Sequence, residues 1–158
     1  MELIILRHGT AEDFNADGDG ARNLIEKGRQ QARDAGALLK ESGLLPEIVL
    51  TSPLVRARQT AEEFCNEAGI PGPVILPWLA SGMKRETALD ELVAFREFSR
   101  VAIVGHEPDL SELIQYVLGA HGYAIEMKKG AIACVRISPP SKSGTLIYLA
   151  PPSITSSL

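Results

Sequence analysis

Leu3-Ile4-Ile5-Leu6-Arg7-His8-Gly9 holds the decisive pattern of this chain. Four consecutive aliphatic residues without polar alternation describe a strand buried on both faces, and the run breaks abruptly into an arginine, a histidine and a glycine. Residues 48–50, 74–76 and 101–104 repeat the aliphatic pattern, so each predicts a buried parallel strand. Amphipathic stretches separate these runs. Ala32, Ala35, Gly36 and Leu39 fall on one helical face, with Gly43 as a stop signal. A second helix is predicted over about 54–68, ended by Gly69 and Pro71, and a third over roughly 87–98. A fourth opens after Pro108 and ends near Gly119. Residues 131–137 and 145–149, parted by Pro139, Pro140 and Gly144, suit an antiparallel hairpin. The order β-α-β-α-β-α-β-α-β-β predicts a three-layer α/β/α domain with a mostly parallel sheet over residues 1–150. The Ser- and Pro-rich residues 151–158 are expected to form a loose tail.

A length of 158 residues suits one domain, and 45% hydrophobic with 23% charged residues is enough for a real core. The net charge of −4 argues against a nucleic-acid partner while leaving room for a local cationic pocket. Cys65 and Cys134 stand in apolar surroundings far apart in sequence, so two buried free thiols are expected. No apolar run approaches the ~20 residues of a membrane span. The N-terminus has acidic Glu2 and no basic region of the kind that opens a signal peptide. No membrane partner is expected, and a cytoplasmic location follows by default.

In open α/β sheets, ligands bind where the strands end at their carboxyl edge. Three polar clusters fall at such ends: Arg7-His8-Gly9, Thr51-Ser52-Pro53 with Arg56 in the next helical turn, and Gly105-His106-Glu107. Two arginines and two histidines at one crevice suit a phosphoryl group. Arginine offers a fork of donors that matches phosphate oxygens and keeps its charge. Helix N-termini add backbone N–H groups. A neutral imidazole can attack phosphorus and hold the group covalently until water releases it. Singly, each feature has an ordinary explanation: a loop arginine, a solvated helix face carrying Arg56 and Arg58, a hydrogen-bonded turn histidine. Their recurrence at three strand ends is what points to chemistry.

The segments Leu6-Arg7-His8-Gly9, Ser52-Pro53-Leu54-Val55-Arg56-Ala57-Arg58-Gln59-Thr60-Ala61 and Gly105-His106-Glu107-Pro108 resemble the three signatures of the histidine phosphatase superfamily, which has the phosphoglycerate-mutase-like fold. The short chain, and the similarity of residues 22–32 to an Arg-Pro-Leu-Thr-x-x-Gly-x-x-Gln-Ala pattern, point to its SixA branch of small phosphohistidine phosphatases. The resemblance implies a phosphatase in which His8 is the nucleophile, Arg7 and Arg56 clamp phosphoryl oxygens, and His106 stabilises the transferring group. It further implies substrate-binding parts for Gly9, Arg22 and Ser52. No metal or organic cofactor is implied, and His8, His106 and His121 contain no close pair of the kind a zinc site needs. The partner implied is a protein bearing phosphohistidine. The alternatives are a small phosphate ester as substrate, or a module that binds phosphoryl groups without turnover.

The chain departs from the pattern in informative places. Many members carry a glutamate as general acid after the third strand, where this chain has Trp78. Candidate acids are then Glu12, Asp13 and Glu107; a solvated loop for the first two and a helix cap for the third are the ordinary alternatives. A pocket without a strong acid favours N–P over O–P bonds. An alkoxide leaving group resembles hydroxide, from water of pKa ~15.7, whereas imidazole needs far less help because its conjugate acid has a pKa of ~6.5. Asn23 replaces the pattern's proline, and Ile25 replaces the threonine that would cap the first long helix.

Overall fold

A computed structural model describes residues 1–157. Six strands form one sheet: β1 (Glu2–Arg7), β2 (Ile48–Thr51), β3 (Val74–Ile75), β4 (Arg100–Gly105), β5 (Ile132–Ile137) and β6 (Gly144–Ala150). Their spatial order is β3-β2-β4-β1-β5-β6. The first four run parallel, while β5 pairs antiparallel with both β1 and β6. Five helices accompany them: α1 (Glu26–Ser42), α2 (Val55–Ala68), α3 (Arg85–Leu92), α4 (Asp109–Leu118) and α5 (Pro152–Thr155). The predicted element order and the C-terminal hairpin are present.

The two-residue alternation of side chains sorts β1 between the layers. Ile4 and Leu6 join Ala35, Leu39, Ala57, Ala61 and Phe64 in a core beneath α1 and α2. Leu3 and Ile5 join Leu89, Leu92, Leu110 and Leu113 beneath α3 and α4. These apolar residues are covered on both sides of the sheet, which is why the strand reads as an unbroken aliphatic run. Gly43, Gly69 and Gly119 end their helices in the left-handed conformation, as the stop signals predict.

Three expectations need correction. The run at 74–76 was expected to be buried, yet Val74 and Ile75 are 42% and 47% exposed, because β3 is a two-residue edge strand with a neighbour only in β2. The third helix begins at Arg85, ends at Leu92 and passes into a 3-10 turn over Val93–Phe95. The tail is not loose throughout. Residues 152–155 form a helical turn against α1 that buries Thr155, while Leu158 lies outside the described residues. Among the described residues no helix is long and apolar enough to cross a membrane.

Candidate active site

Strands β2, β4 and β1 are consecutive in the sheet and parallel, so their carboxyl ends share one edge. The register is tight there. Arg7 lies opposite Gly105 and Thr51 opposite Val104; the ladder continues one step further as His8 N–H donates to Gly105 O and Ser52 N–H to Val104 O. Backbone pairing thus delivers His8, Ser52 and His106 side by side. Arg56 arrives on the first turn of α2, which starts four residues beyond β2.

Arg7, His8, Arg22, Arg56 and His106 line a cavity of about 170 Å³, to which Ser81, Glu107 and Lys129 also contribute. The two imidazole centroids stand 5.4 Å apart. His8 Nδ1 lies 2.8 Å from Gly9 O, which has only lone pairs to offer, so this nitrogen carries the ring proton. Nε2 therefore presents its lone pair, which accepts a long hydrogen bond from Arg56 Nε–H at 3.4 Å. Burial, helped by His106, Arg56 and Arg7, pushes the His8 pKa down to about 3. Burial and the charges of Arg56 and Arg7 push His106 to about 4. Both rings are therefore neutral at physiological pH, the form a nucleophile requires.

Polar atoms are left unsatisfied here. Arg7 Nε and His106 Nδ1 are buried without hydrogen-bond partners among the described residues. Arg7 Nη1 donates to Met127 O at 2.9 Å, which fixes the guanidinium across the end of β1. Such unpaired groups are costly when nothing answers them; an oxyanion in the cavity suits the Arg7 guanidinium, and suits His106 Nδ1 where that nitrogen carries the ring proton. Burial lowers the Arg7 and Arg56 pKa values, opposed by Glu107 and Asp19 respectively, yet arginine remains charged at physiological pH.

Several expected contacts are placed differently. Gly9 is needed for a close approach to protein: a Cβ there would meet Gly28 O of α1 at 2.5 Å, and the Gly9 N–H is already bound to Thr60 Oγ1 at 3.0 Å. Ser52 is fully buried; its Oγ sits 2.7 Å from His106 Nε2 and accepts Leu54 N–H at 3.1 Å, so it supports the ring from behind. Arg22 does line the cavity, held by Glu12 O at 2.7 Å and by Asp19 at 3.0 Å. Glu12 Oε1 is engaged by Asn15 and Asn23, and neither Glu12 nor the exposed Asp13 lines the cavity. Glu107 lines it but caps α4, accepting Ser111 N–H at 2.8 Å and Ser111 Oγ–H at 2.7 Å. Trp78 packs against the core beneath α3 and α4, and Ser81 alone of residues 74–84 reaches the cavity. Asp109 holds that loop by accepting the Gly82 and Met83 N–H groups. His121 is exposed.

Two charged residues escaped the sequence reading. Lys129 lines the cavity from the loop before β5, where Gly130 N–H donates to the Arg7 and His8 carbonyls. Asp19, in an exposed 3-10 turn, links the cations. Its Oδ2 accepts from Arg56 Nη2 at 3.3 Å, its main-chain oxygen accepts from Arg56 Nη1 at 3.0 Å, and its Oδ1 accepts from Arg22 Nε. The terminal nitrogens of Arg56 are therefore gripped from one end while Nε faces His8. Arg56, with lesser help from Arg22, holds the Asp19 carboxyl below the usual range.

This constellation gathers two neutral imidazoles and several cations around one cavity. The model of the histidine phosphatase superfamily (branch 1) matches residues 3–77. An uncharacterized protein of Picosynechococcus sp. is 35% identical over 145 residues, covering 86% of this chain and 85% of its own length. The chain belongs to the histidine phosphatase superfamily. Among solved structures, the protein histidine phosphatase SixA complexed with tungstate is similar at a TM-score of 0.88 and 28% identity, covering 98% of this chain and 99% of that one. An Escherichia coli protein described as a putative alpha-ribazole-5'-P phosphatase shares the fold at a TM-score of 0.75 and 22% identity, covering 94% and 95%. The 2,3-bisphosphoglycerate-dependent phosphoglycerate mutase of Corynebacterium diphtheriae is 43% identical over 82 residues, which is 49% of this chain but only 33% of the mutase.

Proposed function

We propose that the protein removes phosphoryl groups from phosphohistidine on partner proteins in the cytoplasm, by way of a phosphohistidine on His8. One observation carries the substrate class. The cavity joins a neutral nucleophile to fixed cations, and its one lining carboxylate, Glu107, has both oxygens committed to Ser111. His8 Nε2 attacks phosphorus, and the electron pair of the breaking P–N bond goes to the substrate ring, which leaves as neutral imidazole when its distal nitrogen carries a proton and so needs no further acid to expel it. Arg7, Arg56 and His106 stabilise the oxygens in transit. Water then attacks the phosphorus of the intermediate, and His8 leaves with its lone pair restored.

A wide groove favours a protein substrate over a small one. Its volume of about 1,210 Å³ exceeds the ~300–1,000 Å³ usual for small-molecule pockets. It shares Arg7, Glu107 and Lys129 with the cavity, so the two adjoin. Fully exposed Tyr123 lines it, a residue type favoured as an interface anchor. The test compares hydrolysis of a phosphohistidine-bearing protein, free phosphohistidine and a simple phosphate ester. The protein substrate is expected to give the highest kcat/KM, and Tyr123→Ala to lower it for that substrate alone. A highest kcat/KM for the ester would replace this reading with small-ester hydrolysis, for which the position of Glu107 at the cavity speaks. Absence of turnover on every donor would leave a binding module.

A further inference from the structure

The Ser52 hydroxyl has a hydrogen-bond account that closes in only one way. A hydroxyl carries one proton and two lone pairs. Leu54 N–H occupies one lone pair, and His106 Nε2 stands 2.7 Å from the same oxygen. If Nε2 held the ring proton and donated it to Oγ, the serine proton would have no acceptor among the described residues, in a residue with no solvent exposure. His106 Nδ1 would then bring a bare lone pair to the anion site. If instead the serine donates to Nε2, both atoms are satisfied and the ring proton must sit on Nδ1. Nδ1 is the buried ring nitrogen that lacks a partner.

We propose that Ser52 is a positioning residue that sets the tautomer of His106: its hydroxyl donates to Nε2, which fixes the ring proton on Nδ1 as a donor to a phosphoryl oxygen. His8 is held in the same tautomer by Gly9 O. The two rings then play opposite parts because they offer opposite ends to phosphorus, His8 a lone pair and His106 a proton. Neutrality of both rings at working pH is what gives the tautomer its meaning. The catalytic half of this inference rests on the phosphatase reading; the tautomer half does not.

The experiment is two-bond 1H–15N correlation NMR of the uniformly labelled full chain at neutral pH, alongside kinetics on phosphohistidine. Wild-type His106 is expected to show protonated Nδ1 and unprotonated Nε2. Ser52→Ala is expected to shift the ring toward the Nε2-protonated form, and Ser52→Thr to restore the wild-type pattern. Loss of a correctly placed donor in the transition state is expected to lower kcat by on the order of 10–100-fold in Ser52→Ala, with a smaller change in KM. A wild-type ring protonated on Nε2 overturns the proposal even if Ser52→Ala does not fold. An unchanged tautomer in a folded Ser52→Ala overturns it too, as does a changed tautomer with unchanged kcat. Because the spectra require no turnover, an inactive enzyme with the expected tautomer would count against the phosphatase reading and not against this one.

Discussion

Arg56 shows how much one side chain is asked to do. Asp19 holds its terminal nitrogens while Nε faces the nucleophile, so its planar guanidinium is oriented as well as charged. Lysine supplies a point charge without the fork. Arg56→Lys is therefore expected to weaken inorganic phosphate binding at least 10-fold by calorimetry, a loss of about 1.4 kcal/mol; unchanged affinity would remove Arg56 from the clamp. The depressed histidine pKa values carry a second consequence. An unfolded chain protonates these rings near pH ~6.5, whereas the folded chain resists until about 4 for His106 and 3 for His8. Their contribution to stability is complete above the unfolded value and declines as the pH falls from there toward 3. Urea midpoints at pH 7.5 and 5 should fall less in His8→Gln than in wild type, and equal falls would contradict the buried neutral ring.

At the scale of elements, the loop after β1 is positioned by its docking on α1. A Cβ at Gly28 would stand 2.1 Å from Thr10 O and 2.7 Å from Thr10 N, both backbone atoms. Helix propensity alone favours Gly28→Ala by ~1 kcal/mol. The overpacking is expected to reverse that sign and destabilise by ~1–3 kcal/mol in urea unfolding, with lower kcat as His8 shifts; a stabilised variant would refute the docking argument. Ile25 occupies the N-cap of α1 with no side-chain cap. Ile25→Thr should raise stability by about 1 kcal/mol in thermal unfolding, leaving kcat unchanged. Element order was readable because helix and strand periods differ and glycines mark three helix ends. The exposure of β3 was not, since Val74 and Ile75 look the same in sequence at a sheet edge as in its middle.

Across the whole molecule, legibility followed the sheet. His8, Ser52 and His106 were found because parallel strands bring consecutive carboxyl ends to one edge, a rule that needs no coordinates. Arg7 and Arg56 came with them. Asp19 and Lys129 were hidden because their loops reach the site only through tertiary docking: Asp19 onto α2, and Lys129 through the pairing of Gly130 with β1. Ser52 was expected against substrate, and the structure puts its buried hydroxyl against His106, a contact that strand order alone does not specify. The central claim is covalent. Rapid alkaline quench during turnover, followed by mass spectrometric mapping, should find an alkali-stable, acid-labile phosphoryl group on the peptide containing His8, with neither the adduct nor turnover in His8→Ala. Undiminished turnover by His8→Ala, or a phosphoryl group mapped to another residue, would contradict the account.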